Sequence, residues 1–363
     1  MGQKIIFYAP VGNGVPEYML GGGEKGCKRT REILLSAGYD VFTIDKPVMG
    51  RGLKTYISMA IKDYFSLLKQ LISKKDAVLY VVGFYEKNVY LEWLNIATGK
   101  LFGHKTIYEA RNGRLVTAYR EYGSLYRKIM KEILRKADLV FAQGRDYIPF
   151  VKNLVGKDAV YTPNYVLNRN LLPYNENRPM DEIRLIYFGR VSEAKNVDVV
   201  LDTVSELRKK NINTKAVIIG AYTDEYKEKL DRIVETARLE GRVTFTGQQN
   251  FDVIRDELQQ SHFFIFPSQE KKEGHSNSLT EAMTFGVVPI VSNAGFNASI
   301  VEKRELVLED IKATNFADII EKIVNENTWR EYSLFMYDRI KKNYTEDRVK
   351  ASILSAIDSL ATP

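Results

Sequence analysis

The protein has 363 residues, of which 45% are hydrophobic and 27% charged, and its formal net charge is +7. Because a single hydrophobic core stops growing near roughly 250–300 residues, this length predicts two domains. One cysteine and three histidines exclude a disulfide framework and leave no recognisable structural zinc site. The sequence has no apolar run of the roughly 18 residues that span a membrane and no signal-peptide pattern, so we expect a cytoplasmic protein.

The charge is unevenly distributed along the chain. Residues 1–180 have an excess of Lys and Arg, and the remaining residues have an excess of Asp and Glu. A basic half indicates either contact with an anionic partner or a solvated surface. No basic repeat, zinc finger or aromatic RNA-binding motif supports nucleic acid as that partner.

Short β-rich apolar runs alternate with helical patterns in the first half of the chain. This spacing predicts a parallel sheet with crossover helices. The predicted strands are 4–9, 40–44, 77–82, 105–110 and 138–143, and the predicted helices between them include 24–37, 52–73 and 117–136.

The same alternation restarts after residues 161–182, which hold three prolines and five asparagines and have little periodicity. The tail from Asn327 to Leu360 is helical in pattern, with a break near Asn343. The predicted elements between them are strands 184–189, 215–220, 242–247, 262–268 and 287–292 and helices 197–210, 224–239, 250–260 and 277–286.

These patterns predict an α/β fold of two Rossmann-like, doubly wound domains with an interdomain cleft. We expect an N-terminal domain over 1–170, a linker over 171–182, a C-terminal domain over 183–342, and a C-terminal helix over 343–363.

Small residues follow the predicted strand 262–268 and open the helix 277–286. Backbone N–H groups at such a helix start suit an anion such as a diphosphate. Glu273 and Glu281, eight residues apart, flank the turn, and Glu281 is positioned to accept ribose hydroxyls. Ordinary helix capping by Asn277, with Glu281 in the first turn, is the alternative. The residues between the two glutamates are Gly274, His275, Ser276, Asn277, Ser278, Leu279 and Thr280.

Two cations follow the strand 184–189. Arg190 and Lys195, just after Gly189, lie at the carboxyl end of that strand and could neutralise a pair of phosphates. Solvated loop side chains are the alternative for such a pair taken alone. Because both segments lie at strand carboxyl ends of one domain, together they favour a phosphate site.

These two segments resemble the retaining glycosyltransferases of family 4, which have the GT-B fold. The resemblance rests on Glu-x7-Glu with its EAM-x2-G-x-VPI continuation, on GR-x4-KN, and on the opening Gly-Gly-x-Glu loop that contains Gly22. It implies that Arg190 and Lys195 bind the donor diphosphate, that Glu281 binds the ribose, and that Glu273 contacts the transferred sugar. It also implies contacts of the nucleotide base near the loops at Gly220 and Gly247.

The sequence departs from that family in one respect. Relatives often carry a histidine after the fourth strand of the first domain, whereas this chain has Glu109 and Arg111 there. Glu109 could orient the acceptor and Arg111 could support leaving-group charge; a salt-bridged interdomain pair is the alternative.

No D-x-D triplet occurs in the sequence, so the ligands of a metal-dependent nucleotide-sugar site are missing and we expect no metal and no cofactor. The donor substrate would be a UDP- or GDP-linked sugar. Arg190, Lys195 and helix N-termini would balance the charge of the leaving diphosphate.

The stretch 52–75 combines apolar and basic residues at helical spacing. It could lie on an anionic membrane, or it could be a core helix with a lysine-rich outer face, which we favour. Its lysines are Lys54, Lys62, Lys69, Lys74 and Lys75.

The resemblance implies a retaining hexosyltransferase of bacterial surface-polysaccharide synthesis. It would use a glycan acceptor, which could be lipid-linked, at the inner face of the cell membrane. A nucleotide-sugar epimerase of the same fold and a non-catalytic subunit of a transferase complex are the alternatives.

Overall fold

The computed structural model describes residues 3–14, 20–46, 53–84, 86–111, 113–269 and 273–361. The chain divides into two compact units. Unit 1 comprises the described residues up to Asn164 and those from Asp347 onward, and unit 2 comprises Tyr165–Glu346. Each unit is built on a six-stranded sheet in which every pair of neighbouring strands is parallel, so the predicted architecture of two α/β domains is confirmed.

Unit 1 has the strand order β2-β1-β3-β4-β5-β6. Its strands are β1 Lys4–Ala9, β2 Asp40–Asp45, β3 Val78–Gly83, β4 Thr106–Ala110, β5 Leu139–Ala142 and β6 Ala159–Tyr161. Its helices are α1 Gly22–Ser36, α2 Leu53–Ser73, α3 Val89–Leu101, α4 Leu115–Glu121, α5 Ser124–Lys136, α6 Tyr147–Val155 and α14 Glu346–Ala361, which begins at the boundary of the two units.

Unit 2 has the strand order β12-β11-β10-β7-β8-β9. Its strands are β7 Ile183–Phe188, β8 Thr214–Ile219, β9 Val243–Gly247, β10 Phe263–Phe266, β11 Val288–Ser292 and β12 Val307–Leu308. Its helices are α7 Val197–Lys209, α8 Asp224–Thr236, α9 Phe251–Gln260, α10 Asn277–Thr284, α11 Asn297–Val301, α12 Ala313–Asn325 and α13 Trp329–Asn343.

The central strands are buried on both faces, as expected where helices cover a parallel sheet. All residues of β3, β4, β10 and β11 are buried. This burial explains why β3 and β10 appear in the sequence as continuous apolar runs. The predicted helix 117–136 is two helices, α4 and α5, because the chain turns at Tyr122 and Gly123.

The segment 171–182, predicted as a linker, belongs to unit 2. Its side chains are anchored there: the Tyr174 hydroxyl donates to Ser333 Oγ at 3.0 Å, and Arg178 Nη1 donates to the Ser261 carbonyl at 2.6 Å. The change of unit falls between Asn164 and Tyr165. The high proline and asparagine content therefore indicates a segment without regular periodicity, but this segment is packed within unit 2.

Helix α14 packs with unit 1, although it follows unit 2 in the sequence. The Tyr39 hydroxyl donates to Asp358 Oδ1 at 2.6 Å, and Lys350 Nζ donates to Ser36 Oγ at 3.2 Å.

Candidate active site

The candidate site lies where the strand order of unit 2 reverses. The chain runs from β7 outward to β8 and β9 and then returns to β10 on the other side of β7. In open parallel sheets the loops diverge at such a point and leave a crevice at the carboxyl ends of the strands, which is where ligands bind. The loops that leave β7 and β10 carry Arg190, Lys195 and Glu273.

Three predicted donor-binding glycines end neighbouring strands at this edge. Gly189 follows β7, Gly220 follows β8 and Gly247 ends β9. Their φ angles are +143°, +155° and +67°, and a Cβ on Gly220 would lie 1.7 Å from the Gly189 carbonyl oxygen. Glycine is required at position 220, because any side chain there would displace the loop that carries Arg190.

Lys195 and Glu273, predicted to bind different parts of a donor, contact each other in this structure. Lys195 Nζ forms an ion pair with Glu273 Oε2, which also accepts a hydrogen bond of 2.8 Å from Ser268 Oγ. The Lys195 ammonium lies 5.3 Å from the centre of the Phe266 ring. The two charged side chains are only 13% and 12% exposed, so the pair is mostly screened from water.

Arg190 is the exposed cation of the site. Within the described part of the chain its guanidinium makes no hydrogen bond or ion pair, while its carbonyl accepts from the Tyr187 hydroxyl at 2.6 Å. Burial, followed by the nearby Glu273 carboxylate, raises the pKa of Tyr187 well above its usual value, so this hydroxyl stays protonated and donates. The Arg190 backbone is therefore fixed and its side chain remains available to an anionic ligand.

The start of α10 supplies backbone donors. Ser276, not Asn277, is the N-cap: its Oγ accepts from the Leu279 N–H at 3.3 Å. The one-residue difference arises because Asn277 already has helical geometry. His275 is buried with its ring edge-on to Tyr344 at 5.1 Å, and Glu281 lies half-buried in the second turn.

Sequence reasoning missed two residues that hold Glu273. Ser268 contacts its carboxylate, and the Ser268 carbonyl accepts from Ser292 Oγ at 2.6 Å. At Gly295, where φ is +54°, a Cβ would lie 2.2 Å from the Glu273 carbonyl oxygen. Ser268 ends the strand pattern 262–268, and this position could have indicated its contact with Glu273. Nothing in the sequence near Glu273 indicates the close approach of Gly295.

The residues predicted in unit 1 form a separate, buried network. Glu109 and Arg111 are 1% and 3% exposed, and Arg111 Nε donates to Glu109 Oε1 at 2.9 Å. The Tyr80 hydroxyl donates to Glu109 Oε2 at 2.9 Å, and Arg111 Nη1 donates to Asn164 Oδ1 at 3.1 Å. Burial alone would lower the pKa of Arg111, but the Glu109 carboxylate outweighs it and raises this pKa above its ordinary value.

This network corrects two expectations for Glu109 and Arg111. All of the partners above belong to unit 1, so the ion pair is not interdomain. Both charged groups are buried and bonded to neighbouring side chains, so they hold β4 and Asn164 together and do not face a substrate. Their position at the end of β4 had suggested a catalytic role, and the sequence alone does not show that their side chains are buried.

The glycine loop of unit 1 begins α1. Gly21 is the N-cap and the exposed Gly22 is the first helical residue, at the end of the loop that follows β1. One turn later, a Cβ on Gly26 would lie 1.9 Å from Arg111 Nη1. Gly22 is thus at the carboxyl edge of unit 1, while Gly26 lets the buried ion pair approach the helix.

Residues 169–344 match the family model described as "Glycosyl transferases group 1". The gpi3 subunit of phosphatidylinositol N-acetylglucosaminyltransferase from Schizosaccharomyces pombe is 22% identical over 202 residues, or 53% of this chain. GDP-mannose:cellobiosyl-diphosphopolyprenol alpha-mannosyltransferase from Xanthomonas oryzae pv. oryzae is 27% identical over 109 residues, or 30% of this chain. The alignments cover only 43% and 28% of those two proteins.

Solved structures match the fold along nearly the whole chain. Sucrose-phosphate synthase from Thermosynechococcus elongatus matches with a TM-score of 0.75 at 16% identity, covering 99% of each chain. Anabaena HepE in complex with UDP matches with a TM-score of 0.71 at 14% identity, covering 98% of this chain and 100% of HepE. At these identities the likeness establishes the GT-B fold alone. The family match is confined to residues 169–344, less than half of this chain.

Proposed function

We propose that the protein is a retaining glycosyltransferase that moves a hexose from a UDP- or GDP-linked sugar to a glycan hydroxyl. The observation that carries this proposal is the set of groups at the switch point of unit 2: an exposed arginine, a lysine–glutamate pair and the start of a helix, all at one sheet edge. The group 1 family match over the same residues supports it.

Each group in this crevice has a chemical task in the proposed reaction. Arg190, Lys195 and the amides at the start of α10 would bind the diphosphate and stabilise its charge as it leaves. Glu281 would accept the ribose hydroxyls, and Glu273 would hold the transferred sugar. The leaving phosphate would take the proton of the acceptor hydroxyl on the same face of the sugar, which gives retention.

The proposal is tested by a donor screen that measures free nucleotide release, with and without a glycan acceptor. We expect release with a UDP- or GDP-linked sugar, and we expect this activity to survive excess EDTA, because Arg190 and Lys195 carry the charge compensation for which other enzymes use a D-x-D-bound metal. Complete loss in EDTA that added Mg²⁺ or Mn²⁺ restores would contradict the metal-independent part. No release with any donor would contradict the function.

The two alternatives would give different products in this screen. An epimerase would convert the nucleotide sugar to its isomer, or release nucleotide, without any dependence on an acceptor. A non-catalytic subunit would release no nucleotide. The presence of Arg190, Lys195 and both glutamates in one crevice favours transfer over the second alternative.

We further propose a lipid-linked acceptor in polysaccharide synthesis at the inner face of the cell membrane, with α2 as the contact to the bilayer. Ile57, Ile61, Phe65 and Ile72 lie on one side of α2 and are 48%, 53%, 65% and 59% exposed. The favoured core-helix interpretation expected a lysine-rich outer face; the structure has exposed lysines on α2 and, beside them, this apolar stripe. None of the described helices combines the length and hydropathy needed to cross a bilayer.

Basic residues border the apolar stripe. Lys54, Lys62 and Lys69 are exposed on α2. Lys74 Nζ, in contrast, forms an ion pair of 3.6 Å with Asp40 Oδ2 and lies over the Phe42 ring. An apolar ridge bordered by lysines suits the boundary between anionic headgroups and acyl chains. Gly52, at the start of the predicted amphipathic stretch, lies outside the described residues.

Membrane contact is tested by co-sedimentation with anionic and neutral vesicles over a salt series. We expect binding to anionic vesicles that weakens with salt, because three exposed lysines contribute about 1 kcal/mol each. Phe65→Ser should reduce binding about tenfold, and glutamine at Lys54, Lys62 and Lys69 together should reduce it about a hundredfold. Leu125→Ser is the matched control, since Leu125 is 61% exposed on α5. Equal binding of all variants would contradict the proposal.

A further inference from the structure

The Glu273 carboxylate occupies the anion position beside Lys195. Its Oε2 accepts from both Lys195 Nζ and Ser268 Oγ, and Lys195 Nζ also lies 3.4 Å from Ser268 Oγ. The Lys195 ammonium therefore contacts the Glu273 carboxylate, the Ser268 hydroxyl and the face of the Phe266 ring. With both side chains mostly buried, the attraction between them is stronger than in a surface pair.

A diphosphate that binds Lys195 competes with the Glu273 carboxylate for this ammonium. A phosphate oxygen within hydrogen-bond distance of Nζ would lie close to Glu273 Oε2, and two negative groups at that separation repel strongly where water is largely excluded. Binding of the donor through Lys195 therefore favours departure of the carboxylate.

The backbone around the pair is fixed, so the change is confined to side chains. The Gln269 N–H donates to the Ala194 carbonyl at 2.9 Å, and Asn196 Nδ2 donates to the Pro267 carbonyl at 2.9 Å. These two bonds tie the Lys195 turn to the loop that follows β10. On the other side, the close approach of Gly295 to the Glu273 carbonyl fixes the backbone of Glu273.

We propose that the Lys195–Glu273 ion pair is an autoinhibitory contact that the donor's diphosphate exchanges. Before the donor binds, Glu273 neutralises Lys195. The diphosphate then replaces Glu273 as the partner of Lys195. The released carboxylate turns toward the sugar, with Ser268 Oγ still within reach. This inference rests on the proposed function. The exchange gives the diphosphate a second role, because its binding releases the Glu273 carboxylate that contacts the sugar.

The exchange is tested by calorimetric titration of UDP and of GDP into wild type and variants, which needs no turnover. We expect Glu273→Gln to bind the preferred nucleotide about tenfold more tightly, because the internal competitor for Lys195 is lost. Lys195→Met should bind it about tenfold more weakly. In the double variant Glu273→Gln/Lys195→Met the gain should vanish, leaving affinity within about twofold of Lys195→Met alone.

Glu193→Gln is the matched control. Glu193 is an exposed carboxylate two residues before Lys195, so this variant removes one negative charge nearby without touching the pair, and we expect a change under about twofold. Thermal unfolding midpoints establish that each variant is folded.

Two results would overturn the exchange: unchanged or weaker nucleotide binding by Glu273→Gln, or a gain that persists in the Lys195→Met background. The second would mean that Glu273 repels the nucleotide through space and not by occupying Lys195. If wild type binds neither nucleotide, the proposed function fails. If wild type binds one of them and Glu273→Gln gives no gain, only this inference fails.

Discussion

Replacing Arg111 by alanine is expected to lower the free energy of unfolding of unit 1 by about 3–5 kcal/mol. The substitution leaves the Glu109 carboxylate 1% exposed with only the Tyr80 hydroxyl as a donor among the contacts described above. It also removes the hydrogen bonds from Arg111 Nη1 to Asn164 and from Nη2 to Thr30 Oγ1 at 3.2 Å. An unpaired buried charge is among the most destabilising changes known for single residues.

The two tryptophans of the chain allow the units to be followed separately. Trp93 lies in α3 of unit 1, and Trp329 begins α13 of unit 2. Urea denaturation in a Trp329→Phe background therefore reports unit 1 alone, which matters because two-domain proteins do not unfold in one step. A loss below about 1 kcal/mol would contradict the buried-pair description.

The double variant Glu109→Leu/Arg111→Met is the control for this prediction. It removes both charges and keeps apolar volume, so most of the lost stability should return. If Arg111→Ala does not fold at all, the double variant still decides the matter, because it should fold only if the charge imbalance is the cause.

Gly220→Ala is expected to reduce the stability of unit 2 by about 3 kcal/mol and to weaken nucleotide binding at least about tenfold. The new Cβ would lie 1.7 Å from the Gly189 carbonyl oxygen and 2.8 Å from its carbon, so one strand end must move. This movement would weaken two hydrogen bonds. The Gly220 N–H donates to the Gly247 carbonyl at 2.9 Å, and the Val191 N–H donates to the Ala221 carbonyl at 2.9 Å. The second bond holds the loop that presents Arg190, and the first joins the ends of β8 and β9 beside it.

Gly241→Ala is the matched control. Gly241 also has a positive φ, +70°, but a Cβ there meets nothing within 4 Å. It should cost only the backbone strain of about 1 kcal/mol and leave binding unchanged. The measurements are urea denaturation followed by Trp329 fluorescence in a Trp93→Phe background, and calorimetry with UDP and GDP. Equal effects of the two substitutions would show that the close approach at Gly220 is unimportant.

Most of the fold could be predicted because buried parallel strands appear as uninterrupted apolar runs. The strands that escaped prediction, β6 and β12, have three and two residues, too few for any pattern. Helix α3 escaped for a different reason. It buries the polar Glu92 and Asn95 and exposes Trp93, so its sequence has no clean apolar face.

Part of the site was equally accessible from sequence. Arg190, the start of α10 and the strand-end glycines follow from local motifs. The pairing of Lys195 with Glu273 spans 78 residues, and the bond from Arg111 to Asn164 spans 53, so neither can be inferred from spacing. Glu109 and Arg111 are two residues apart at the end of a strand, where side chains share a face, so their mutual contact was within reach of the sequence.

The return of α14 to unit 1 has a consequence for the order in which the protein is assembled during synthesis. Unit 2 begins and ends at adjacent points, since the Val166 N–H donates to the Tyr344 carbonyl and the Glu346 N–H donates to the Val166 carbonyl. Because α14 follows unit 2 in the sequence, a ribosome finishes all of unit 2 before it makes α14. Val349, Ile353 and Ile357 of α14 are buried. Unit 2, although later in the sequence, is the first to be complete, and unit 1 waits for its last helix.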